Sequence, residues 1–345
     1  MKLFVFPANI EQDILDLGAR QVPYMRTPEF SKIMLDNEHI LKKIAGCGEG
    51  RILFFTSSGT GAMDAVVAQF VGACRNALVV SGGTFGQRWK DLCDYYKIQA
   101  TLIEPGFGQD LDIIQIDRQL KKGAFDVVLT QHHETSSGQL HDIKALGQAC
   151  HTNKVLLVVD AIGSVLADPF DMDQFGVDVM VLSSQKGLCL PPGISFVLLG
   201  RRALEMSFRK SSFYFDFSYH MDNLQRGQTP WSPATSLFLQ LHKRLKGIEK
   251  TGVDKIIKST RKKAERFREL LLSRGFRLSA STLSNALTGV YVRGDATNLF
   301  HYLAQRDMYV MLGSAPDLIR VTHVGCSGIE DHEQLLEEIL LWQET

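Results

Sequence analysis

The sequence predicts an α/β protein: a large domain on a mostly parallel seven-stranded sheet, followed by a smaller α/β C-terminal domain. Three observations carry this expectation. Between Arg51 and Gly200 seven short apolar runs alternate with helix-like stretches. The runs are continuous in hydrophobicity, which marks strands buried on both faces. Their spacing, roughly 20 to 30 residues, leaves room for a crossover helix between parallel neighbours.

In chain order the runs are ILFFT (52–56), ALVV (77–80), ATLIE (100–104), DVVLT (126–130), VLLVV (155–159), DVMVLS (178–183) and ISFVLL (194–199). From Ser236 to Gly275 the pattern turns helical, with Phe267, Leu270 and Leu271 at i, i+3 and i+4 and Gly275 suited to a C-terminal cap. Its basic run, Lys258 to Arg268, reads as a solvated helix face, since no aromatic residues flank it in a base-stacking pattern. TGVYV (288–292), MYVML (308–312) and LIRVTH (318–323) then predict strands of a compact second unit. The expected division is an N-terminal arm over 1–20, a large domain over 21–245 and a small domain over 246–345.

Composition narrows the function. The chain has 345 residues, 45% of them apolar and 22% charged, as globular proteins do. Its 38 basic and 38 acidic residues cancel, so no global field recruits nucleic acid or anionic lipid. Six cysteines (Cys47, Cys74, Cys93, Cys150, Cys189, Cys326) form no CxxC pair, which fits reduced thiols better than a disulfide scaffold or a zinc site. The opening MKLFVFPANIEQDIL has too short an apolar run for a signal peptide, and no stretch of about 18 uncharged apolar residues follows. A soluble, cytoplasmic enzyme is expected.

Chemistry gathers where predicted strands end. TSSGTGAMDA (56–65) follows the first run and enters a helix, so small residues and a helix N-terminus suit an anion, although a plain strand-to-helix turn reads the same way. A dinucleotide fits poorly: Asp64 stands where GxGxxG needs Gly or Ala, and the next strand ends in Ser81 with no acid for a ribose. Asp160 and Lys186 each terminate a buried strand, where a lone charge costs several kcal/mol, so each needs a partner. One buried Asp–Lys ion pair is the simpler reading. SGGTFGQRW (81–89) and HHETSSG (132–138) bring an aromatic ring, hydroxyls, imidazoles and an acid to the same rim. A phosphate cradle, an aromatic plate, a carboxylate and a lysine together match what pyridoxal phosphate requires.

On these motifs the sequence resembles a class V aminotransferase of pyridoxal-phosphate fold type I, in the serine/alanine:glyoxylate or pyruvate aminotransferase branch. The resemblance runs from PYMRTPEF (23–30) through SGTGAMDA, GTFGQRW, HETSSG, VVDAIGS and SSQKGLCLPPG to IRVTHVG (319–325). Most specific is SQKGLxLPPG (184–193), whose lysine lies 26 residues after the aspartate of VDAxxS. The resemblance implies that Lys186 is the Schiff-base lysine and Asp160 the partner of the pyridine nitrogen. It assigns Phe85 and Ile162 to the two faces of the ring, and Ser58, Gly59, Thr60 and Gln185 to the phosphate. Thr135 falls near the ring oxygen, and Arg320 on the substrate carboxylate. It further implies a homodimer whose partner subunit lends a phosphate contact from RGQTPWSP (226–233), through Thr229 or Ser232.

The family usually begins with PGP beside the substrate, whereas this chain reads Pro7-Ala8-Asn9, so Ala8 is a candidate substrate contact that alters the pocket. Three histidines, His132, His133 and His323, fall near the expected site without an assigned role. Arg320 has a competing structural reading, an internal salt bridge to an acid such as Glu29. The expected substrates are a small amino acid and a 2-oxo acid. A 2-aminoethylphosphonate:pyruvate transaminase is the alternative. A desulfurase is disfavoured because Cys326, six residues after Arg320, is the one cysteine of the C-terminal domain. A non-catalytic relative is disfavoured because Lys186 and Asp160 are both present.

Overall fold

The computed structural model describes residues 1–344. All seven expected runs join one sheet, in the spatial order Arg51–Phe55, Ser195–Leu199, Val179–Ser183, Leu156–Asp160, Val127–Gln131, Asn76–Val80, Gln99–Ile103. The last five of these run parallel. Ser195–Leu199 is antiparallel to both of its neighbours, so Arg51–Phe55 points the same way as the parallel set. Six strands therefore deliver their carboxyl ends to one rim, where open α/β sheets bind ligands.

The continuous apolar runs have a direct cause. Ile52, Phe54, Leu157, Val159, Met180 and Leu182 feed one buried cluster, while Leu53, Phe55, Val158, Val179 and Val181 feed another on the opposite face. Helices cover both. Pro28–Ala45 shows why they start and stop where they do: Thr27 caps it by accepting from the Phe30 N–H, Pro28 opens it, and Gly46 ends it at φ 64°.

The C-terminal region carries a four-stranded sheet in the order Arg277–Leu278, Leu287–Tyr291, Leu318–Thr322, Met311–Leu312, antiparallel throughout. The run expected over 308–312 is two short strands. Met311–Leu312 belongs to this sheet, whereas Met308–Tyr309 pairs in parallel with the arm strand Lys2–Leu3. The arm thus docks on the small unit, where Phe4 is fully buried beside Phe267, Leu271 and Val290. Burying that ring contributes about 2 kcal/mol.

The helical stretch is two helices, Thr235–Thr251 and Val253–Ser273, separated by Gly252 at φ 91°. Gly275, at φ 77°, lies one residue beyond the cap Arg274. The basic run is only partly solvated. Lys263 is buried and donates to the Gly325 and Ser327 carbonyls, and Arg268 donates to the Thr288 hydroxyl and the Leu287 carbonyl. No described helix is long and apolar enough to cross a membrane.

Candidate active site

Three residues beyond the strand Val179–Ser183, Lys186 turns its amine into the rim. Among the described residues no acceptor lies within hydrogen-bond distance of it. Nζ instead stands 3.8 Å from the centroid of the Phe6 ring and 5.9 Å from that of Phe85. Burial lowers the amine's pKa to about 8, against the pull of Asp160 and with help from Arg320 and Arg88.

Asp160 closes the strand Leu156–Asp160 and is buried; its Oδ1 accepts from the Ile162 N–H at 2.8 Å. Burial raises its carboxyl to about 6, despite that hydrogen bond and the cations nearby. The simple Asp–Lys ion pair is not made: among the described residues no oxygen of Asp160 lies within 4.0 Å of Lys186 Nζ.

The 56–65 loop behaves as a helix-start cradle. Ser58 caps the helix Gly59–Gln69, accepting from the Gly61 N–H at 3.4 Å. A Cβ on Gly59 would stand 2.5 Å from Ile162 Cδ1 and 3.4 Å from Ser183 Cβ, so glycine lets the helix start close on the strand ends. Ser58 and Thr60 are exposed, and Thr60 Oγ1 accepts from Arg88 at 3.0 Å. Among the described residues the Gln185 Oε1 and Ser183 Oγ atoms are buried with no hydrogen-bond partner.

Phe85 is positioned by Glu134, which sequence reasoning had counted only as an acid on the rim. Its fully buried carboxylate accepts from the Phe85 and Gly86 N–H groups at 3.4 and 3.1 Å, and from the Ser136 N–H and hydroxyl at 3.0 and 2.6 Å. One acid thereby binds the 81–89 turn to the 132–138 loop at the start of the helix Thr84–Tyr95, where negative charge is favourable. Arg88 also went unremarked; the Phe85–Arg88 spacing of three on a helix was its signal, and its guanidinium lies 5.1 Å from the Phe85 centroid.

Thr135 is buried, and its carbonyl accepts from Arg320 Nη1 at 2.8 Å. The Leu312 carbonyl takes Arg320 Nε at 3.2 Å and Nη2 at 2.7 Å. Among the described residues no carboxylate pairs with Arg320, Glu29 included. Burial lowers its pKa, and Glu134 opposes the shift.

The remaining candidates spread out. Ala8 is buried with Ala167, Ala286, Leu287 and Val324, and the Asn9 amide oxygen turns back to accept from the Leu3 N–H. Thr229 spends its hydroxyl on the Trp231 carbonyl, Ser232 is exposed, and the Ala234 N–H donates to Thr56 Oγ1. His132 shares a hydrogen bond with Ser164, and His323 lies in the small unit's core, bonded to Thr288. His133 is the histidine of the site: it lies against Gly163, where an added Cβ would meet its Nδ1 at 2.4 Å and Thr135 Oγ1 at 3.3 Å. Burial lowers its pKa to about 3, the Lys186 charge adds to the shift, and its contact with the Gly163 backbone opposes it.

These groups fit pyridoxal phosphate. An unpartnered lysine amine, a buried carboxylate held apart from it, and orphaned Gln185 and Ser183 oxygens surround a glycine-lined helix start and an aromatic ring.

Comparison with known proteins agrees. The family model described as aminotransferase class-V matches residues 21–328. Over 93% of the chain it is 29% identical to the soluble hydrogenase small subunit of a Synechococcus species, spanning 86% of that protein. Over 79% of the chain it is 30% identical to the serine–glyoxylate aminotransferase of Hyphomicrobium methylovorum, spanning 70% of it. The crystal structure of ureidoglycine–glyoxylate aminotransferase from Bacillus subtilis superposes with a TM-score of 0.92 at 22% identity, covering 98% of this chain and 92% of that one, a likeness of fold. With its rim, its lysine and its fold in agreement, the chain belongs to the class V aminotransferases, transaminases of fold type I that work with pyridoxal phosphate.

Proposed function

We propose that this transaminase moves an amino group from a small amino acid of the serine or alanine kind to glyoxylate or pyruvate, in two half-reactions at one site. The observation that carries the reading is the separation of Lys186 from Asp160: a buried carboxylate and a half-buried amine on one rim that do not meet leave space for a molecule between them. The serine–glyoxylate aminotransferase among its relatives supports the substrate class. The hydrogenase name of another relative has no counterpart in this lysine–carboxylate arrangement, which is suited to amine chemistry.

Bound at this rim, pyridoxal phosphate supplies an electron sink for the charge that develops at an amino acid's Cα. Lys186 would anchor it and, when free of it, would be the base placed to remove the Cα proton and return it; burial already lowers the pKa of its amine to about 8. Asp160 would hold the pyridine nitrogen protonated, Thr135 would meet the ring oxygen, and Phe85 and Ile162 would flank the ring. Ser58, Gly59, Thr60 and Gln185 would hold the phosphate, with Arg88, which donates to Thr60, adding positive charge. Arg320 grips the substrate carboxylate: backbone carbonyls take three of its five N–H groups and aim the fork, leaving two for the ligand.

A second copy completes the proposal. Phe213, Tyr214 and Tyr219 are exposed around Trp231, in the segment that bears Thr229 and Ser232, and an aromatic surface of this kind suits an interface between subunits. The arm, the large domain to about residue 245 and the small domain beyond it remain our proposed division. Light scattering on the holoenzyme is expected to give a dimer; a monomer that binds cofactor and turns over contradicts it.

The test is a half-reaction screen: single amino acids are mixed with the holoenzyme, and conversion of the aldehyde cofactor to its amine form is read by absorbance. Serine or alanine is expected to convert it; conversion by none of the proteinogenic amino acids, or by an aminophosphonate alone, overturns the substrate class. In the same assay Arg320→Lys should weaken amino-acid binding and slow the half-reaction at unchanged cofactor content and melting temperature, because a lysine cannot form the bidentate pair. If the variant melts early and reacts normally, Arg320 is structural.

A further inference from the structure

We propose that Phe6 is a specificity-determining residue, its ring walling the space over the Lys186 amine and limiting the side chain of the amino acid that reacts there. The proposal rests on the transaminase reading of the site and deepens it. Nζ of Lys186 lies 3.8 Å from the Phe6 ring centroid, nearer than Phe85 at 5.9 Å. An amino acid whose nitrogen takes that position carries its Cα one bond of about 1.5 Å away and its Cβ two bonds away. The side chain therefore starts within van der Waals reach of the ring.

The wall does not yield easily. Phe6 is half-buried and packs against the buried cluster of Ala8, Ala167, Ala286, Leu287 and Val324, which backs the ring on its protein side. The backbone that bears it is tied to the Arg320 strand Leu318–Thr322: the Thr322 N–H donates to the Phe4 carbonyl at 3.0 Å, and the Thr322 hydroxyl to the Val5 carbonyl at 3.3 Å. Met311, which packs against the same cluster, stands opposite Arg320 in the sheet register. Ring and guanidinium are thus mounted on one frame. A substrate held by its carboxylate at Arg320 meets the ring at a set distance, so hydrogen, methyl or hydroxymethyl side chains clear it and branched or aromatic ones collide.

The test uses the holoenzyme with Phe6→Ala and Phe6→Leu. 2-Methylalanine and α-methylphenylalanine lack a Cα proton, so their binding is read from cofactor absorbance without transamination; alanine and phenylalanine half-reactions are followed in parallel. The large-to-small ratio of dissociation constants is expected to fall roughly 10-fold or more in Phe6→Ala and by less in Phe6→Leu, with the large-to-small ratio of kcat/KM rising correspondingly. Should Phe6→Ala fail to load cofactor, Phe6→Leu decides. Unchanged ratios with cofactor retained, or an equal loss for every amino acid, overturn the proposal. A wild-type holoenzyme that reacts with no amino acid is a separate result, which removes the transaminase reading and this wall with it.

Discussion

Lys186→Ala is expected to lower the half-reaction rate by at least ~10³-fold, since it removes both the cofactor's anchor and a positioned proton-transfer group. The fold should survive. A lysine whose pKa drops from 10.5 to about 8 on folding is destabilising while charged, at full cost below pH 8 and with relief as pH rises toward 10.5. The cofactor-free variant should therefore melt no lower than wild type at pH 7. Borohydride reduction of the wild-type holoenzyme, followed by peptide mass analysis, should fix the cofactor on Lys186. A label on any other lysine would falsify the mechanism.

Asp160→Asn separates activity from stability. Transamination should fall by ~10² to 10³ or more, because the carboxylate matters most while charge develops on the ring. Stability of the cofactor-free protein should move the other way. The carboxyl titrates at 3.8 in the unfolded chain and at about 6 in the fold, so unfolding releases a proton between those values and stability declines as pH rises through them. Above pH 6 the cost is of order 3 kcal/mol, from roughly two units at 1.36 kcal/mol each. Asparagine avoids it while its side-chain oxygen still accepts from the Ile162 N–H. Denaturant unfolding of the cofactor-free proteins should show the variant ahead at pH 7.5 and level at pH 4. A near wild-type rate, or no pH-dependent gain, would reject this account.

The large sheet was legible because its physics is local. A strand buried on both faces must be apolar at every position, and Leu53 and Phe55 on one face with Ile52 and Phe54 on the other are that rule in the sequence. MYVML misled because Val310, which lies between the two short strands, is buried like Met308, so nothing in the pattern marks the point where the chain leaves one sheet for another. Lys263 was readable in retrospect, since it shares the i, i+4 stripe of Phe267 and Leu271, and a cation on an apolar stripe must find carbonyls. Asp160 and Lys186 stood out as charges ending buried runs. That they do not pair is a matter of tertiary geometry, and so is the contact of Phe6 with Lys186, residues far apart in sequence, made by an arm whose strand partners lie near the other end of the chain. Arg320 was readable as a cation on a short strand, but the carbonyls that orient it come from Leu312 and Thr135 on separate elements.

The arm's docking also sets an order of assembly. A ribosome delivers Leu199, the end of the last strand of the large sheet, long before Met308 and Thr322, to which residues 2 to 5 must bond. Domains generally fold as they emerge, and closing so long a loop must wait for its far end. Through that interval the rim can form while Phe6 remains in solution, leaving the Lys186 amine open from the side the ring later covers. The ring beside the Lys186 amine is therefore among the last parts of the site to be put in place.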